Sequence, residues 1–119
     1  AKRLCFLPGD AREIDWPQGD AVLFKSVLHD WTDAAARKMI DRAAHHLPPG
    51  GRVIICERGP IADETSMRGA AAAANLVFAQ YYRAPAFYEA ALEASGLRVL
   101  PRSSVALDMT FHVIATERV

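Results

Sequence analysis

Between Asp20 and Asp33 the chain reads DAVLFKSVLHDWTD, and its polarity changes abruptly inside that stretch. Ala21 to Phe24 is a short apolar run. Lys25, His29, Asp30 and Trp31 then arrive together, before Thr32 and Asp33 open a helical pattern. Imidazole has an ordinary pKa of about 6.5, close to physiological pH. A histidine just past the carboxyl end of a strand stands where open α/β sheets bind ligands. His29 is therefore a candidate general base. The plainer alternative is a histidine that caps the helix or fills a loop.

Other residues with chemical potential are sparser. Cys5 and Cys56 each lie in an apolar, strand-like run, which suits two buried thiols better than a disulfide or a metal pair. His45 and His46 close the helical pattern, where cations suit the helix dipole, and read as a solvated pair. His112 alternates with apolar neighbours and reads as structural. The formal net charge is zero and no basic block stands out, so nucleic-acid binding lacks electrostatic support. No apolar run approaches membrane-spanning length. The opening AKRLCFLPGD lacks the long apolar core of a signal peptide, so a cytoplasmic protein is expected.

The elements that would position these residues follow from periodicity and turn chemistry. With 119 residues, 51% of them hydrophobic, the chain suits one domain around one core. Arg3 to Leu7 predicts a strand, ended by Pro8-Gly9-Asp10. Asp15 to Gly19 is a second turn-rich link. Ala21 to Phe24 predicts a strand buried on both faces. Asp33 to Leu47 predicts a helix, with Ala35, Met39, Ala43 and Leu47 among its apolar positions and Arg42 on its wetter side. Pro48-Pro49-Gly50-Gly51 stops it. Arg52 to Cys56 predicts the next strand, with Glu57 at its carboxyl end. Gly59 to Thr65 reads as a loop and Ser66 to Gln80 as an alanine-rich helix. Pro85 opens a further helix, Ala86 to Ser95, stopped by Gly96. Leu97 to Leu100 and Phe111 to Thr116 predict two strands joined as an antiparallel hairpin. The order is that of an α/β fold.

Three features combine: Gly9-Asp10 after a strand, Lys25-xxx-His29-Asp30-Trp31 after the next, and Leu47-Pro48-Pro49-Gly50-Gly51 before a strand ending in Glu57. Together they resemble the S-adenosylmethionine-dependent O-methyltransferases of the plant caffeate and isoflavone type and their bacterial antibiotic-tailoring relatives. The resemblance is close from Cys5 to Glu57 and looser to Val119. It implies the C-terminal half of a doubly wound, Rossmann-like methyltransferase domain with a terminal antiparallel hairpin, residues 1–119 forming part of the catalytic domain. It implies methyl transfer from S-adenosylmethionine to a hydroxyl of a small aromatic or natural-product acceptor, and a homodimer for the full-length enzyme. His29 then matches the catalytic base and Glu57 the carboxylate that flanks it. Asp10 matches the acid that binds the adenine amino group, followed by Ala11 where the family carries a large apolar residue. Lys25 matches a lysine lining the cofactor site; a solvated strand end is its alternative. Asn75, Phe78 and Tyr82 would face the acceptor pocket, with plain core packing as the alternative for Phe78.

The departures are equally specific. Tyr82 stands where the family has a second catalytic glutamate, ahead of Arg83-Ala84. The glycine-rich cofactor loop, the ribose-binding acid and the helical dimerisation segment have no counterpart in this chain, which resembles roughly the last third of a complete enzyme. A non-catalytic module that keeps the half-fold, and transfer to nitrogen or carbon, are the alternative functions.

Overall fold

A computed structural model describes residues 3–59, 82–106 and 110–119. The described strands form one sheet: β1 (Ala21–Lys25), β2 (Arg52–Arg58), β3 (Leu97–Val99), β4 (Ser103–Ala106) and β5 (Thr110–Arg118). Their order is β1-β2-β5-β3, with β4 also paired to β5. β1 and β2 are parallel, with Lys25 opposite Cys56, and β5 runs antiparallel to β2. Parallel neighbours need a crossover, and α1 (Asp33–His46) supplies it. A second described helix, α2 (Pro85–Ala94), leads into β3.

Local chemistry sets the helix limits. Thr32 caps α1, its side chain accepting the Ala35 N–H at 3.3 Å. Ala36, Met39, Ile40, Ala43 and Ala44 recur at helical spacing and are buried. They share one core with Phe24, Val53, Ile55, Ile114 and the α2 residues Tyr88 and Leu92. Each large side chain fully buried there contributes about 1.5–3 kcal/mol. Pro85 sits in the first turn of α2, where a missing N–H costs nothing.

The α/β arrangement and the terminal antiparallel hairpin are those expected. Four details differ. Arg3 to Leu7 is not a strand: it has no ladder partner among the described residues, and Leu4 and Phe6 are 89% and 94% exposed. Cys5 is accordingly exposed rather than buried, and Cys56 is half-buried; neither is in a disulfide. β1 is covered on one face, because α1 and α2 pack on the side of Phe24, while Leu23 on the other side is 60% exposed. Finally, the hairpin contains β4. β3 and β4 follow one another along the same edge of β5, Val99 opposite Thr116 and Ser103 opposite Val113. They read as one edge strand interrupted at Pro101, which has no N–H to give to a ladder. The expected helix Ser66 to Gln80 lies outside the described residues. No described helix is long and apolar enough to cross a membrane.

Candidate functional site

Because β1 and β2 are parallel, their carboxyl ends share one edge of the sheet. Beyond β1 the chain turns at Ser26, which adopts φ +52° and donates its N–H to the Cys56 carbonyl at 2.9 Å. A single 3-10 turn, Leu28–Asp30, follows and carries His29. Glu57 arrives at the same edge from the end of β2. The His29 Nδ1 lies 3.0 and 3.1 Å from the two Glu57 carboxylate oxygens. Both groups are buried, His29 at 8% exposure and Glu57 at 1%.

Burial raises the Glu57 pKa above its ordinary value, while the hydrogen bond from His29 pulls it back. With Nδ1 donating to the carboxylate, a neutral imidazole carries its lone pair on Nε2. The Asp30 carboxylate lies 3.4 Å from that nitrogen. The buried Tyr82 ring stands edge-on to the imidazole, 5.5 Å between centroids at 77°. The pair can therefore accept a proton at Nε2 and balance the resulting charge at Glu57.

Asp10 lies in a separate surface cluster. It opens a turn in which its carbonyl accepts the N–H groups of Glu13 and Ile14. Its carboxylate accepts from the Arg12 side chain at both oxygens, with a closest contact of 2.6 Å. Arg12 in turn lies over the Trp31 ring, 4.2 Å from its centroid, which ties Asp10 to the loop that carries His29. This whole segment is pinned to α1. The Trp16 indole donates to the Ala11 carbonyl, and Arg42 of α1 donates to the carbonyls of Ala11 and Ile14. His46 also belongs to this anchor: its Nε2 lies 2.8 Å from the Pro17 carbonyl and its ring packs edge-on to Trp16. The expectation of a solvated pair therefore fails for His46 and fits only the exposed His45.

The structure thus joins His29, Glu57 and Tyr82, and links Asp10 to their loop through Arg12 and Trp31. Ala11 is exposed and takes part through its carbonyl. Lys25 is exposed at the end of β1, with no side-chain hydrogen bond among the described residues. Asn75 and Phe78 lie outside the described residues. Two arginines went unrecognised in the sequence. Arg42 looked like a solvated helix residue, and Arg83 was read only as the residue after Tyr82, at the place of the family's Arg-Thr pair, with no contact assigned to it. Among the described residues no group of histidine, cysteine and acidic side chains could hold a metal ion.

Comparison with known proteins adds a lineage. Residues 1–98 match the family model described as the O-methyltransferase domain. The chain is 46% identical over 44 residues to indole glucosinolate O-methyltransferase 5 of Arabidopsis thaliana, covering 37% of this chain and 12% of that protein. The fold is similar to an O-methyltransferase family 2 protein from Planctomyces limnophilus solved with apigenin, with TM-score 0.71, 24% identity, and coverage of 93% of this chain and 34% of that one. Human N-acetylserotonin methyltransferase, solved with SAM, is similar at TM-score 0.69 and 24% identity over 95% of this chain and 33% of the other. The chain spans about a third of the length of these solved structures.

Proposed function

Since this chain belongs to the O-methyltransferase domain family, we propose that residues 1–119 are the part of an S-adenosylmethionine-dependent O-methyltransferase that activates the acceptor hydroxyl. The acceptor is a small aromatic or natural-product molecule, and the complete enzyme works as a cytoplasmic homodimer. The buried His29–Glu57 pair carries this reading. A phenol is a poor nucleophile until its proton leaves, and a positioned imidazole is suited to take it. His29 accepts that proton at Nε2. Glu57 holds the ring tautomer through Nδ1 and stabilises the imidazolium that forms. Tyr82, beside the imidazole where the family carries a second acid, borders the acceptor.

S-adenosylmethionine, when bound, supplies a methyl group on a sulfonium that an oxygen nucleophile can displace. The Asp10 carboxylate fits its adenine end. Arg12 binds both of its oxygens and lowers its pKa to about 2, and an anionic acceptor suits an amino donor. Ala11 and Lys25 complete the contacts that this chain contributes.

Methyl transfer to a panel of phenolic acceptors tests the assignment. His29→Ala lowers kcat by about a hundredfold to ten-thousandfold, the range for a positioned general base. Glu57→Gln has a smaller effect, because a glutamine oxygen still accepts from Nδ1. Near-normal turnover in His29→Ala would overturn the assignment.

A further inference from the structure

We propose that Arg83 is a positioning residue of this site, and that it fixes the His29 imidazole against Glu57 by holding the backbone carbonyls of Leu28 and Trp31. Its Nη1 donates to the Leu28 carbonyl at 3.0 Å and its Nη2 to the Trp31 carbonyl at 2.5 Å. Its Nε donates to the Asp33 carboxylate at 2.6 Å, in the first turn of α1. The guanidinium thus spans the turn from the residue before His29 to the start of the next helix. Arg83 itself is 7% exposed.

The turn needs such support. Its own backbone bonds run from Asp30 N–H to the Val27 carbonyl at 3.0 Å and from Trp31 N–H to the Leu28 carbonyl at 3.2 Å. No side chain caps its start. A 3-10 turn this short has poor hydrogen-bond geometry and no helical cooperativity. A planar guanidinium donates in fixed directions, so it sets the relative placement of two carbonyls and a carboxylate at once. An ammonium at that position supplies charge without the fork. The neighbour of Arg83, Tyr82, touches the imidazole ring itself. Two consecutive residues ahead of α2 therefore reach the base, one at its ring and one at its backbone.

This inference rests on the proposed role of His29, and the test separates the two. The Nδ1 proton of His29, buried in its bond to Glu57, is followed by nuclear magnetic resonance in the whole protein alongside steady-state kinetics. In Arg83→Gln that proton exchanges at least about tenfold faster, as expected when a buried charged donor is lost. The kcat falls about a hundredfold while KM changes little, the signature of a misplaced catalytic group. Arg83→Lys restores part of both. Leu92→Ala, a core change elsewhere, lowers stability but leaves the proton signal and kcat in place while the protein is folded. A folded Arg83→Gln with an unchanged Nδ1 proton and normal kcat would overturn the proposal. Should Arg83→Gln fail to fold, Arg83→Lys and Asp33→Asn are read the same way: a wild-type proton signal and kcat in both overturns it. If turnover survives in His29→Ala, the catalytic reading fails, and the Nδ1 exchange rate still decides whether Arg83 positions the ring.

Discussion

Asp10 has a pKa lowered to about 2 from an ordinary 3.8, chiefly by the side-chain hydrogen bond from Arg12. A depressed folded-state pKa stabilises the fold above the unfolded value, so the contribution of this pair is complete above pH 3.8 and lost as pH falls through 2. In Arg12→Gln the Asp10 carboxyl should titrate closer to 3.8, as its carbon chemical shift would show. An unchanged midpoint would mean that the turn backbone, rather than the guanidinium, holds the charge. His29 was legible as a polar residue just past an apolar run, while Glu57 was placed beside it by the family resemblance and its position at a strand end. The arginines were not legible. Arg83 meets the Leu28 carbonyl across 55 positions and Arg42 meets Ala11 across 31. Backbone carbonyls leave no mark on a sequence, so their donors look like ordinary solvated cations.

At the scale of elements, α1 and its stop were plain from spacing and from Pro48-Pro49-Gly50-Gly51. Gly51 shows why that stop is demanding. A Cβ there would lie 2.8 Å from the Pro48 carbonyl oxygen, 2.9 Å from Leu47 Cβ and 3.3 Å from the Asp20 carbonyl. The link from α1 to β2 therefore passes against the start of β1 with no room for a side chain. Gly51→Ala should cost about 1–3 kcal/mol, the usual penalty for overpacking, read from the shift in denaturant midpoint. A cost near zero would show that the link can move aside. β4 escaped notice because Ser103 and Ser104 lack the apolar alternation of a strand and Pro101 breaks the run before it. Arg3 to Leu7 misled for the opposite reason: its composition is strand-like, but extended structure needs a neighbour to pair with.

At the scale of the molecule, β5 joins the sheet. It pairs with β2 on one side and with β3 and β4 on the other. The fully buried Thr116 hydroxyl accepts from Val53 N–H and donates to the Val53 carbonyl, 63 positions away. The Gly50 N–H and the Gly51 carbonyl are stitched to Arg118 in the same way. β5 is also the last of these strands to leave the ribosome. Until it emerges, the edge of β2 that pairs with β5 lacks that partner and is exposed to wrong pairing, and β3 and β4 lack the strand they lie against. Long-range closure of this kind slows folding and lengthens the exposure. A nascent chain ending at Ala106 should be cleaved by protease throughout β2 and β3 when a tether carries it past the exit tunnel, whereas one ending at Val119 on the same tether should resist. Equal resistance in the two would mean that α1 and the parallel pair hold together unaided. Otherwise the His29–Glu57 pair comes into being in a single late event, and a codon change that slows translation just before Thr110 would alter the yield of folded protein without altering one residue of it.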